Sequence, residues 1–110
     1  MSRGMDVNKM MQQVQKMQAE MAKAQEELAQ ETVEASVGGG MVTVKATGAG
    51  EIVEIKIARE AIDPDDPEML EDMILAAVNE ALGSAQELAS KKLGGITGGL
   101  GDLGLNLPGM

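Results

Sequence analysis

Residues 32–57 have the sequence TVEASVGGGMVTVKATGAGEIVEIKI, in which three short segments each alternate apolar and polar side chains. A period of two is typical of strands that are buried on one face only. Glycines separate the segments, at residues 38–40 and again at residues 48 and 50, where the chain has to reverse. The pattern predicts a three-stranded antiparallel meander. The inward face of its third strand is predicted to hold Val53, Ile55 and Ile57.

The segment before the meander repeats apolar residues three and four positions apart over three heptads. This spacing predicts an α-helix of about 25 residues, or ~38 Å, that begins after Asp6 as its N-cap. One side of the helix then carries a coiled-coil seam, which we expect to be buried against a second chain or against the rest of the domain. The seam consists of Val7, Met10, Val14, Met17, Met21, Ala24 and Leu28.

The segment after the meander begins with an acidic, proline-containing entry and continues with apolar residues at helical spacing over residues 70–88. Asp66 is suited to an N-cap and Pro67 to the first helical position, so a second long helix is predicted to cover the sheet. Gly94 is predicted to end this helix. The fold class is therefore α+β, with a single domain over residues 1–93 and a flexible, Gly/Leu-rich tail over residues 94–110.

The composition excludes several kinds of chemistry, because the 110 residues include no Cys, no His and no aromatic side chain. Cys/His zinc sites, thiol nucleophiles and imidazole acid–base steps are all absent, and no catalytic pair stands out. The acidic cluster over residues 63–72 lacks the spacing of a calcium loop and suits helix capping instead. We expect no enzymatic activity, no cofactor, no metal and no small-molecule substrate. With no apolar stretch long enough for a membrane span, a cytoplasmic protein is expected.

The charge is polarised along the chain. The net charge of −9 argues against a protein that binds nucleic acid through overall basicity, yet residues 1–25 hold four basic and two acidic side chains. Residues 51–80 hold ten acidic and two basic ones. Lys9, Lys16 and Lys23 lie one heptad apart, ~10.5 Å per step on one side of the first helix. This row is either a solvated helix face or a phosphate-binding surface, and the residues alone favour the first alternative.

Four segments carry a family resemblance: GGGMVTV at 38–44, TGAGEIVEIKI at 47–57, DPDDPEMLEDMILAAVNEAL at 63–82 and GGLGDLGLNLPGM at 98–110. Together with the Met/Gln/Lys-rich first helix, they closely resemble the YbaB/EbfC family of bacterial nucleoid-associated proteins over essentially the whole chain. The resemblance implies a homodimer in which sheet and helices join two chains and the paired long helices project like tweezers. It also implies binding to double-stranded DNA in the nucleoid, a change in DNA conformation, and effects on gene expression, nucleoid organisation and DNA protection.

The DNA contacts have to be assigned from charge and position, because the family offers no fixed contact motif to transfer. Without aromatic side chains the chain has no stacking platform for single strands, so backbone contact to duplex DNA with weak sequence preference is expected. The rival hypothesis is a protein-interaction module that uses the seam and the tail and binds no DNA. The candidate DNA contacts are Arg3, Lys9, Lys16 and Lys23, with Lys91 and Lys92 as weaker candidates.

Overall fold

The computed structural model describes the backbone of residues 2–101 and the side chains of residues 7–96. Two long helices flank a three-stranded sheet, which confirms the predicted α+β class. A short 3-10 helix at Arg59–Ala61, which the sequence pattern did not predict, links the sheet to the last helix. The main elements are α1 (Ser2–Gln30), β1 (Thr32–Val37), β2 (Val42–Thr47), β3 (Ile52–Ile57) and α2 (Pro67–Gly101).

The sheet is an antiparallel meander in the order β1-β2-β3, as predicted. Ala35 of β1 lies opposite Val44, and Val44 lies opposite Ile55 of β3, so these three residues share one face. The turn between β1 and β2 places Gly38, Gly39 and Gly40 at φ values of 64°, 67° and 95°. Residues with a Cβ rarely adopt this left-handed conformation, so the glycines permit the tight hairpin.

The pairing of β2 with β3 contains a bulge that changes the predicted inward face. Glu54 pairs with Lys45 and Ile52 pairs with Ala46, so Val53 is an extra residue on β3. A bulge of one residue reverses the alternation beyond it, which exposes Val53 and turns Ile52 toward the core. The inward position predicted for Val53 is therefore wrong.

The core lies between α2 and the inner face of β1 and β2. Val42, Val44 and Ala46 of β2 are completely buried, and α2 contributes three small residues to the same cluster. Small side chains at the contact let a helix lie close to a sheet, so the core needs no aromatic residue. The helical contribution consists of Ala77, Ala81 and Ala85.

The two helices differ from prediction at their ends. The backbone N–H of Met69 donates to Asp66 Oδ1 at 3.3 Å, and α2 begins at Pro67, as expected. At its other end α2 continues through Gly94 to Gly101, because glycine costs a helix only about 1 kcal/mol and does not forbid it. The predicted helix end at Gly94 is thus wrong, and so is the cap at Asp6, since α1 already begins at Ser2. Residues 102–110 of the predicted tail lie outside the described residues.

Gly48 is expected to be a position where even one methyl group destabilises the fold. A Cβ placed on Gly48 would lie 2.6 Å from Leu28 Cδ2 and 3.2 Å from Leu88 Cδ2, where α1, α2 and the end of β2 meet. We expect Gly48→Ala to lower the free energy of unfolding by about 1–3 kcal/mol through overpacking. Chemical denaturation monitored by circular dichroism measures this change.

Gly83→Ala is the matched control, because a Cβ on Gly83, which lies within α2, would meet no atom within 4 Å. Its expected effect is a gain of about 0.5–1 kcal/mol from better helix propensity. A Gly48→Ala protein as stable as the Gly83→Ala protein would show that the three elements are not closely packed at this point.

Candidate nucleic-acid interface

The outer part of α1 projects from the rest of the molecule. Every side chain from Val7 to Lys16 is exposed, and the molecule measures 78 × 30 × 16 Å. We call residues 7–23 of α1 the arm, and the sheet, the 3-10 helix and α2 together the body. The 29 residues of α1 correspond to a rod of about 43 Å, longer than a strand of the sheet.

The apolar seam of α1 is buried at its base and open at its tip. Ala24 and Leu28 are only 4% and 3% exposed, and the side chains of Leu28 and of Leu88 on α2 both lie close to Gly48. Met17 and Met21, nearer the tip, are half-buried. The remaining seam residues line a shallow apolar groove of about 380 Å³ together with Met11 and Gln15. They are Val7, Met10 and Val14, which are 54%, 64% and 54% exposed.

Lys9, Lys16 and Lys23 form an exposed row on the arm, which we call the basic row. Lys16 follows Val14 by two residues and precedes Met17 by one, or about 200° and 100° around the helix, so the row lies on a different side of the helix from the seam. Lys9 and Lys16 border a shallow groove of about 250 Å³ with Gln12 and Gln13. None of the three lysines forms an ion pair with another side chain among residues 7–96. Their ammonium groups are therefore available to an anionic partner.

The other candidate contacts are not part of this row. Arg3 lies in α1, but its side chain is outside the described residues. Lys91 is exposed on α2, beside a groove that Gln86 and Ser90 also line. Lys92 is already occupied within the chain, because its Nζ donates hydrogen bonds to Glu31 Oε1 at 3.1 Å and to Glu27 Oε1 at 3.2 Å.

The ion pairs of Lys92 join α2 to the base of α1, and we call these three residues the clamp. The hydrogen bond to Glu31, supported by the one to Glu27, raises the pKa of Lys92 above its ordinary value. Glu27 and Glu31 were missed by the sequence argument. They lie 65 and 61 residues from Lys92, and no local periodicity connects positions so far apart.

One face of β3 is an exposed apolar surface. Ile55 lies directly beside the completely buried Val44 and on the same face, yet it is 45% exposed, because α2 packs across β1 and β2 and leaves β3 open. Ile57, which pairs with the completely buried Val42, adds to this surface and is 37% exposed. An edge strand with an uncovered apolar face is typical of a contact with another chain. We call Ile55 and Ile57 the β3 surface.

The acidic entry to α2 has a structural explanation. Asp66 caps the helix, and the backbone N–H of Asp65 donates to Asp63 Oδ1 at 3.0 Å, which closes a local turn. Among the described residues, no group of carboxylates is arranged to hold a metal ion. Within residues 2–101, neither helix combines the length and hydropathy that crossing a membrane requires.

Comparisons with known proteins agree with this architecture. Residues 3–100 match the model of the YbaB/EbfC DNA-binding family. The chain is 54% identical over 107 residues to a nucleoid-associated protein of Desulforamulus reducens, covering 97% of both chains. It is 59% identical over 102 residues to one from Thermodesulfovibrio yellowstonii, covering 93% of this chain and 85% of that protein.

A solved structure also resembles the fold. The crystal structure of an uncharacterized protein from Helicobacter pylori superposes with a TM-score of 0.60 at 26% identity, covering 67% of this chain and 77% of that one. The sequence match over nearly the whole chain and the shared fold both support the resemblance carried by the four segments. The chain belongs to the YbaB/EbfC DNA-binding family.

Proposed function

We propose that this protein binds double-stranded DNA through the basic row, as a homodimer that presents two arms to one duplex. The observation that carries the proposal is the contrast between the arm and the body. Lys9, Lys16 and Lys23 are exposed and unpaired among the described side chains, whereas residues 51–80 carry ten acidic groups and two basic ones. The arm attracts phosphates, and the body repels them.

The length of the basic row suits contact with more than one phosphate. From Lys9 to Lys23 the row extends over about 21 Å of the arm, so its lysines can reach phosphates at separate points of one duplex. The long, flexible stem of lysine suits contact with a point charge more than it suits reading a base edge. Since the chain has no aromatic residue to stack on unpaired bases, duplex DNA with weak sequence preference is the proposed target.

The homodimer is proposed from the β3 surface and the family membership. Two copies related by a two-fold axis would each cover the partner's exposed Ile55 and Ile57, and they would bury the open edges of both β3 strands. The contact would be isologous, so the same surface on each copy is enough to form the dimer. Such a dimer doubles the number of lysines that face one duplex.

The biological role proposed here is that of a nucleoid-associated protein in the cytoplasm, and the name nucleoid-associated protein that its relatives carry supports this proposal. We propose that binding alters the conformation of the DNA. This change would affect gene expression, nucleoid organisation and DNA protection. The matched family is described by DNA binding and not by a reaction, so no catalytic activity is proposed. The rival, a protein-interaction module without DNA binding, is not favoured by that match.

The salt dependence of duplex affinity tests this proposal. If both arms together neutralise four to six phosphates, log K should fall with log salt at a slope of about −3.6 to −5.4, because each neutralised phosphate contributes about −0.9. Fluorescence anisotropy of a labelled duplex between low and moderate salt measures this slope. An affinity that is flat over that range would contradict phosphate binding by the lysines.

A further inference from the structure

The arm is joined to the body by a small contact at one end of α1, and this contact determines the angle between arm and body. Within the described chain, α1 contacts α2 and β2, and the side chains from Val7 to Lys16 are all exposed. The fully buried apolar part of its attachment consists of Ala24 and Leu28, and Met17 and Met21 are half-buried. Apolar contacts are not directional, so the angle of the helix depends also on the polar bonds at its base, which include the backbone hydrogen bond from Gly48 N–H to Glu31 O at 2.9 Å.

The clamp supplies such bonds at this point. Lys92 reaches Glu27 in the last turn of α1, at 3.2 Å, and Glu31, which directly follows α1, at 3.1 Å, and its side chain is only 22% exposed. The backbone N–H of Glu31 donates to Glu27 O at 2.9 Å, so the two carboxylates are held about one turn apart. Two hydrogen bonds from one ammonium to the end of a helix and to the residue after it limit both the rotation and the tilt of the helix. The body residue that makes these bonds lies on α2, which is itself anchored in the core through Ala81 and Ala85.

We propose that Lys92 is a positioning residue: by bridging Glu27 and Glu31 it fixes the angle at which the arm leaves the body, and so it sets the spacing of the two basic rows on DNA. This inference rests on the proposed DNA binding for its functional half. Its structural half, the fixed angle of the arm, holds whether or not DNA is the ligand.

For a variant that removes the clamp, a positioning role and simple electrostatics predict opposite changes in DNA affinity. Glu27→Gln with Glu31→Gln removes two negative charges from the arm's base and releases the ammonium of Lys92, so charge alone would tighten DNA binding. If the clamp positions the arm, the same variant binds DNA more weakly, roughly threefold or more, because the two arms no longer hold their spacing. The matched control is Glu20→Gln with Glu26→Gln, which makes the same charge change at exposed positions of α1 outside the clamp.

The arm's angle is measured without DNA by distances between two labels. Since the chain contains no cysteine, Asn8→Cys on the arm and Asn79→Cys on α2 provide two unique, exposed labelling sites. Double electron–electron resonance on labelled full-length protein, diluted with excess unlabelled protein, reports the distances within one chain. We expect a broad distribution for the Glu27→Gln, Glu31→Gln variant. A narrow distribution is expected for the parent, for the Glu20→Gln, Glu26→Gln control and for Lys92→Arg, which keeps the cation.

The outcomes separate the two halves of the inference. Equal distance distributions in the clamp variant and the control overturn the fixed angle of the arm. A broad distribution combined with tighter DNA binding, as in the control, overturns the positioning role. If the parent protein binds no duplex at all, the proposed function fails, and the distances still decide whether the clamp fixes the arm.

Discussion

Replacing Lys9, Lys16 and Lys23 together by Glu is expected to weaken duplex binding at least about a hundredfold. In a dimer the change removes six cations from the surface that faces the phosphates and puts six anions in their place. The helix itself should persist, because Lys and Glu have similar helix propensities and the three positions are exposed. A gel-shift series with a short duplex, read beside circular dichroism of the free protein, measures both quantities.

The control for this prediction changes charge on the body instead of the arm. Lys56→Glu with Arg59→Glu alters the formal charge as much as Lys9→Glu with Lys16→Glu, and all four positions are exposed. We expect the arm variant to lose most of its affinity and the body variant to lose little. Equal losses would mean that net charge, and not the basic row, governs binding.

Ile55→Lys is expected to dissociate the dimer and to weaken DNA binding at the same time. The substitution places a charge on the β3 surface, where a side chain that is 45% exposed in one chain would be buried by the second. Because the added charge is positive, electrostatics alone would strengthen DNA binding. A loss of affinity must then come from the loss of the second arm. In the dimer the two arms are linked, so binding of one arm raises the effective concentration of the other, and a monomer lacks this gain.

Light scattering and the gel-shift series measure the two effects of Ile55→Lys. The mass should fall from twice 11.5 kDa to 11.5 kDa. Asn79→Lys, which adds the same charge at an exposed position of α2, should leave mass and affinity close to those of the parent. A variant that remains dimeric would show that the interface between copies lies elsewhere.

Local patterns sufficed to predict the elements of the fold. Alternation of period two located β1, β2 and β3, and Asp66 with Pro67 marked the start of α2, because strands, caps and turns depend on neighbouring residues. The bulge at Val53 escaped prediction, since it depends on how the β2–β3 turn closes. The end of α2 was predicted wrongly at Gly94. Leu93 and Ile96, on either side of Gly94 and Gly95, are half-buried, and the helix continues through them.

The candidate site was predictable only in part. Heptad spacing put Lys9, Lys16 and Lys23 on one side of α1, and the structure shows them exposed there. The charge argument named Lys92 as a weaker candidate and did not predict its pairing with Glu27 and Glu31, which arises only when α2 returns to the base of α1. Likewise, the seam is a regular repeat in sequence, and only the tertiary fold divides it into a buried base and an open tip.

Site-directed cross-linking to DNA is the most direct test of the claim that duplex DNA lies against the basic row. The absence of native cysteine allows a photoreactive label at Gln12→Cys, between Lys9 and Lys16, or at Glu80→Cys on the exposed side of α2. Irradiation with a bound duplex should give cross-linked DNA from the Gln12→Cys protein and little from the Glu80→Cys protein. Equal yields from both sites, or a yield from Glu80→Cys alone, would contradict the proposed interface.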